Sequence, residues 1–136
     1  MVLIGGGSSD RIEKIKKDTW ALGISKYVRF LGIRKDATSI LNCFDCFLLP
    51  SFSESFSLAL IESQSLNIRS IASNNVPLDV ICNCNCFALP LSRSDEYWAS
   101  VAVSNTTHKK EKDVMEFDFS NVLPRMINEY KRVYEK

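Results

Sequence analysis

The sequence predicts an α/β domain in which a parallel sheet is flanked by helices. Short apolar runs recur at 2–4, 27–31, 46–49, 69–72 and 87–89, and stretches with helical spacing of apolar residues lie between them. Alternation of this kind is the signature of β–α–β crossovers, which set successive strands parallel and cover both faces of the sheet with helices. The length, 136 residues, is that of one ordinary domain able to bury its own core.

Each element has its own signal. Val2–Ile4 is a short strand that runs into Gly5-Gly6-Gly7. Ser9 and Asp10 offer caps for the following helix, with Glu13 three residues after Asp10 as in a capping box. Ile12, Ile15, Thr19 and Leu22 form its apolar stripe, and Gly23 stands where a left-handed residue closes a helix. Tyr27–Leu31 is the second strand, stopped by Gly32, and Asp36 caps a short helix carrying Ile40, Leu41 and Phe44.

The third strand, Cys46–Leu49, ends at Pro50, which cannot continue a central ladder. Ser57–Leu66 is helical in pattern with Asn67 at its C-cap, and Arg69–Ala72 is the fourth strand. Pro77–Cys82 reads as a short helix opened by proline, Phe87–Leu89 as the fifth strand and Asp95–Val103 as a helix. The organisation expected is one domain over 1–103, a polar linker over 104–119, and a final helix over 120–136 with Ser120 as its cap. Trp20 and Trp98 are read as packing residues.

Composition narrows the function classes. Seventeen basic against sixteen acidic side chains give a net charge of +1, so no overall field draws the chain to nucleic acid or an anionic membrane. No signal-peptide pattern opens the chain, and no apolar run reaches the roughly 18 residues of a membrane span. The five cysteines are odd in number, which favours reduced thiols and a cytoplasmic setting. Cys43-x-x-Cys46 and Cys82-x-Cys84-x-Cys86 invite a zinc reading, but Cys43 and Cys46 fall where a buried helix passes into a strand and read better as small hydrophobes. His108 falls in a charged stretch and Glu116-Phe117-Asp118 lies away from the strand ends, so neither is assigned chemistry and no metal is expected.

Ligands of parallel sheets bind at the carboxyl ends of the strands. Those ends are Gly5–Ser9, Gly32–Lys35, Pro50–Ser57 and Ser73–Asn75. A glycine turn between strand and helix can meet a phosphate, but it is common without one. The stretch 48–66 is more specific, because it places Glu54 in the loop after a strand and Glu62 eight positions later within the next helix. Such a helix aims free N–H groups and partial positive charge at the crevice, and nearby carboxylates can accept hydrogen bonds from sugar or ribose hydroxyls.

This stretch resembles the E-x7-E element of family-4 glycosyltransferases of the GT-B fold, in their C-terminal, Rossmann-like, nucleotide-sugar-binding domain. The flanks agree: Val2–Gly7, Val28–Gly32, Cys46–Ser51, Ile71–Pro77 and Phe87–Leu91 resemble the family's successive strands and turns, and within it the chain is most similar to capsular and exopolysaccharide enzymes.

The resemblance implies a transfer from a UDP-, GDP- or ADP-sugar to a saccharide or lipid-linked acceptor, with retention of configuration and no required cofactor. It implies that Glu54 is the catalytic carboxylate holding the donor sugar, that the backbone of Ser55, Phe56, Ser57 and Leu58 meets the diphosphate, and that Glu62 meets the ribose. Leu31, Gly32 and Ile33 would contact the base, with Gly5 and Gly7 lining the pocket.

Ser55 and Ser57 depart from the family's pattern, which commonly has glycines there; their Cβ atoms narrow the approach of backbone to a phosphate. The resemblance also implies that the chain starts after the first strand of the donor domain and after its basic phosphate clamp. An acceptor-binding N-terminal domain would be missing, and the chain alone would be inactive. The parent enzyme is expected in the cytoplasm, with peripheral association at the inner face of the membrane compatible with its acceptor. The rival readings are a catalytically inactive remnant, a non-enzymatic nucleotide-binding α/β module, and a regulatory binding domain of similar architecture such as a receiver or flavodoxin-like module.

Overall fold

The computed structural model describes residues 1–104, so the linker and helix expected beyond them, with His108, Glu116 and Asp118, lie outside the described residues. The chain divides into two compact units, Met1–Ile40 and Leu41–Lys136.

The first unit is one β–α–β crossover. Strands β1 (Val2–Ile4) and β2 (Arg29–Gly32) pair in parallel, with a register irregularity between Leu3 and Ile4. Between them run α1 (Ser9–Ala21) and a 3-10 turn at Ser25–Tyr27. The cap of α1 is Ser8 rather than Ser9 or Asp10: its extended backbone (ψ 146°) lets its hydroxyl accept from Arg11 N at 3.4 Å. Gly23 closes the helix at φ +68°, with its N–H on Trp20 O and that of Ile24 on Thr19 O, the paired bonds of a Schellman motif. Tyr27 falls in the 3-10 turn because its N–H bonds Ile24 O at 2.8 Å, so the strand begins at Arg29. Trp20 is not a packing residue: it is 77% exposed, turned about 100° round the helix from the buried Thr19.

Helix α2 (Ala37–Leu41) follows. The Asp36 carbonyl accepts from Ile40 N, while the Asp36 carboxylate is engaged by Arg34 through Nε at 2.8 Å and Nη2 at 2.7 Å. Asp36 therefore opens the helix through its backbone, not through the side-chain cap expected of it.

The second unit holds a parallel sheet in the order β3-β4-β5, formed by Cys46–Leu49, Arg69–Ser73 and Cys86–Leu89. The connecting helix α3 (Leu58–Ser65) and α4 (Asp95–Val103), which follows β5, cover its two faces. On one face Leu60 of α3 packs with Ala72, Val76, Val80, Ile81 and Cys86; on the other, Ile71, Phe87 and Leu89 pack against Trp98, Val101 and Ala102. Trp98 is thus a packing residue, and its indole N–H donates to Pro90 O at 3.3 Å.

Two expectations change here. The strands among the described residues form two parallel sheets, one of two strands and one of three, where a single sheet was expected. Alternation dictates parallel crossovers within a sheet but not how many strands each sheet holds. The helix expected over 77–82 is only a 3-10 turn at Leu78–Val80. The Gln64 side chain takes the backbone groups a helix would use, accepting from Cys82 N at 2.7 Å and Asn83 N at 3.2 Å and donating to Val80 O at 2.7 Å. Asn67 lies one position past the C-cap Leu66, at φ +54°, and closes α3 with the same pair of bonds that Gly23 gives α1.

Candidate functional site

The carboxyl end of β3 is where the chain turns away from the sheet. Pro50 removes a donor after Leu49, and residues 50–56 form a loop that reaches the α3 cap. Ser57, buried at φ −105°, accepts from Leu60 N with its hydroxyl at 3.4 Å and from Ile61 N with its carbonyl at 3.2 Å. The N–H groups of Leu58 and Ala59, in the first turn, have no intrahelical acceptor and mark the positive end of the helix dipole.

Neither Ser55 nor Ser57 has a positive φ, Asn67 being the one non-glycine residue that does among the described residues. Serine is therefore unstrained at the two positions where the sequence pattern calls for glycine, and at Ser57 it does a capping job glycine cannot.

Glu54 is half-buried in this loop, three residues before the cap. Ser51 Oγ donates to its Oε1 at 2.8 Å. The loop is also tied to the end of β4: Ser73 Oγ donates to Ser51 O at 2.5 Å and Asn75 Nδ2 to Phe52 O at 3.0 Å. Glu62 lies on an exposed position of α3, its carboxylate without a hydrogen bond or ion pair among the described residues. Phe56 and Leu58, flanking the cap, are 49% and 67% exposed. The structure thus sets Glu54, residues 55–58 and Glu62 along one loop and the helix it enters. The arrangement can receive an anion on helix N–H groups and polyols on two carboxylates.

The other expected residues lie at the matching strand ends of the first unit. Gly5, at φ +132°, donates its N–H to Gly32 O at 2.8 Å, and Gly32 itself has φ +65°. This bond joins the glycine turn after β1 to the end of β2. Leu31 and Ile33 are exposed, and a Cβ at Gly6 would come within 3.0 Å of Ile33 Cδ1. Gly5 and Gly32 need left-handed backbone, so glycine is required there whether or not a ligand binds.

The five cysteines are free thiols. Cys43 is exposed, Cys82 and Cys86 are buried, and among the described residues no three candidate ligands cluster as a metal site. Burial pushes the Cys86 thiol up to about 12, with Cys82 adding to the shift, and burial also raises Cys46. No helix among the described residues is long and apolar enough to cross a membrane.

Sequence reasoning did not find the tethers. Ser51, Ser73 and Asn75 stand at strand ends, which is the only signal they carry, and Gln64 carries none, since all its partners but Leu60 O lie 16 to 19 residues away.

Comparison with known proteins gives the site its context. The α-1,3-galactosyltransferase of Escherichia coli that uses UDP-Gal and α-D-GlcNAc-diphosphoundecaprenol is 36% identical over 73 residues, 54% of this chain and 19% of that protein. The D-inositol 3-phosphate glycosyltransferase of Corynebacterium jeikeium is 32% identical over 85 residues, 58% of this chain and 20% of that protein. The chain therefore spans about a fifth of the length of these curated relatives. Among solved structures, Anabaena Alr3699/HepE in complex with UDP superposes with a TM-score of 0.65 at 20% identity, over 74% of this chain and 29% of that one. The same protein with UDP-glucose gives 0.63 at 20% identity, over 74% and 29%. The fold is thus that of part of a GT-B glycosyltransferase, and since the family described as Glycosyl transferases group 1 matches residues 1–101, the chain belongs to that family.

Proposed function

We propose that this chain binds the nucleotide-sugar donor of a group 1 glycosyl transferase, and that the donor is a UDP-sugar. The observation that carries the reading is the placement of Glu54 in a tethered loop immediately before the capped N-terminus of α3. The names of the relatives support the choice of base: one uses UDP-Gal, and the structural neighbour was solved with UDP and UDP-glucose.

In this reading Glu54 accepts hydrogen bonds from the donor sugar and holds its anomeric carbon toward the acceptor. The backbone of residues 55–58 receives the diphosphate, and Glu62 accepts from the ribose hydroxyls. Charge builds on the leaving diphosphate as the glycosidic bond breaks, and fixed N–H dipoles at the start of α3 stabilise it without reorganising. For Gly5, Gly7, Leu31, Gly32 and Ile33 the proposed role is contact with the donor through the ends of β1 and β2. The acceptor proposed is a lipid-linked saccharide of surface polysaccharide synthesis, a class supported by the diphosphoundecaprenol acceptor in the name of the Escherichia coli relative.

Binding is the appropriate test, because the chain spans about a fifth of its relatives' length. Titration of UDP-, GDP- and ADP-sugars by ligand-observed NMR should show saturable binding of the UDP-sugar. Glu62→Ala should weaken UDP itself by about tenfold, the loss of hydrogen bonds to a charged group. Glu54→Ala should spare UDP and remove the advantage of UDP-sugar over UDP. Absence of saturable binding by any of the three donors overturns the reading.

A further inference from the structure

The tethers of the Glu54 loop form a connected series that starts in the core. Asn74 N donates to Leu89 O at 2.9 Å and Val76 N to Ser73 O at 3.1 Å, which fixes the end of β4 against β5. Ser73, fully buried, then holds Ser51 O, and Asn75 holds Phe52 O. Two consecutive loop carbonyls are thereby pinned to the central strand. Ser51 passes the constraint outward, its hydroxyl donating to one oxygen of the Glu54 carboxylate.

A glutamate on a solvent-facing loop has several rotatable bonds, and ordering them on ligand binding subtracts from affinity. A hydroxyl donor three residues away, on backbone that cannot drift, removes much of that freedom before the ligand arrives. The donor also satisfies one carboxylate oxygen and leaves the other for a sugar hydroxyl. Bonds from a hydroxyl to an ionised carboxylate are among the stronger ones, so the preference for this geometry is not trivial.

We infer that Ser51 is a positioning residue for Glu54, with Ser73 and Asn75 setting the loop on which both sit, so that recognition of the donor's sugar, as distinct from its nucleotide, depends on the Ser51 hydroxyl. This rests on the donor-binding reading, in which Glu54 meets the sugar.

The test is the ratio of UDP-glucose to UDP affinity, with UDP-galactose run in parallel, on the full chain. It is measured for the unmodified protein, Ser51→Ala, Ser51→Thr, Glu54→Ala and the Ser51→Ala/Glu54→Ala pair. A purely structural defect lowers both affinities and leaves the ratio alone. Ser51→Ala should lower the ratio about fivefold to tenfold, the scale of one charge-assisted hydrogen bond, with UDP affinity within about twofold. Ser51→Thr keeps the hydroxyl and should restore the ratio, and Ser51→Ala should add nothing in the Glu54→Ala background, as for two residues acting as a unit.

A ratio that ignores Ser51→Ala, or falls equally in Ser51→Thr, overturns the inference while the donor reading stands. A parallel fall in UDP and UDP-sugar affinity assigns Ser51 a structural role and overturns it too. Failure of UDP to bind the unmodified chain, or a ratio that ignores Glu54→Ala, overturns the donor reading or the place of Glu54 in it, and the inference falls with that.

Discussion

Strands β1 and β4 have exchanged the fates their compositions suggest. β1 is Val-Leu-Ile and not one of its residues is buried, whereas β4 contains Arg69, Ser70 and Ser73 and is buried at all five positions. The difference lies in neighbours. β4 has a parallel partner on each edge, α3 over one face and α4 over the other, while β1 belongs to a two-stranded sheet. The polar side chains of β4 are accommodated because each finds a partner: Ser70 Oγ lies 2.7 Å from Ser63 Oγ, Ser73 bonds Ser51, and the Arg69 guanidinium lies 4.8 Å over the Phe87 ring. Burial thus follows position in the sheet more than hydrophobicity, and the candidate carboxylate Glu54 is tied to the strand that is buried deepest. In the first unit Trp20, Leu22, Tyr27 and Ile33 are all more than 60% exposed, as a two-stranded sheet with one helix would leave them.

The comparison is broken most directly by equal substitutions in the two units. Leu60, wholly buried between α3 and the sheet, should lose about 3–4 kcal/mol of stability on replacement by alanine, from lost transfer energy and the cavity left behind. Leu22→Ala, at 71% exposure, should change stability by no more than about 0.5 kcal/mol. Similar losses in urea denaturation would mean that burial is not what separates the units.

Next in size is the polar interior. Gln64 is 2% exposed and serves Leu60 O, Val80 O, Cys82 N and Asn83 N. Gln64→Leu keeps the volume and strands these groups, so a loss of about 2–3 kcal/mol is expected. Amide hydrogen exchange should rise first at Cys82 and Asn83. An unchanged exchange pattern would assign the 80–83 turn to its own backbone rather than to the side chain.

Local signals made much of this legible and long-range pairing hid the rest. Cys46–Leu49 and Asp95–Val103 have the bounds read from sequence, because Pro50 stops one and Ser94, whose hydroxyl accepts from Tyr97 N, opens the other. At α1 three consecutive polar residues, Ser8, Ser9 and Asp10, compete as caps, and backbone ψ decides among them, which sequence does not reveal. The Glu54/Glu62 spacing was visible along the chain, and so was the helix between them. The Ser73–Ser51 contact spans 22 residues and exists only because β3 and β4 pair in a particular register.

A third prediction sharpens the contrast through pH. All five cysteines lie beyond residue 40, in the second unit. Cys86 is held protonated up to about 12 by burial and by Cys82, whereas a thiol in the unfolded chain ionises near about 8.5. Below that value both states are protonated and the stabilisation is complete. Above it the unfolded state alone releases the proton, so stability should fall by about 1.4 kcal/mol per pH unit until the folded thiol also ionises. Denaturation midpoints from pH 7 to 10 should fall in the native protein and fall less steeply in Cys86→Ala, where the raised Cys46 thiol remains, and parallel slopes would show that Cys86 does not contribute.

The smallest effect expected belongs to the Arg34–Asp36 pair of the first unit. The bidentate geometry is good, and it raises the Arg34 guanidinium and lowers the Asp36 carboxyl from their ordinary values, chiefly through the side-chain hydrogen bond in each case. Yet both side chains are about half exposed, at 46% and 50%, where water and salt screen the attraction and ordering two long side chains offsets it. A lowered carboxyl contributes above its unfolded value and loses that contribution as pH falls through the folded one, so any effect is present at neutral pH and disappears in acid. Arg34→Ala should therefore move the Asp36 titration, followed by carbon NMR, up toward the ordinary carboxylate range without a measurable shift in unfolding midpoint. A clear loss of stability that high salt also produces would reverse the lesson drawn from β1 and β4. The first unit would then be held by its surface charges, and its exposed apolar side chains would have no part in the account.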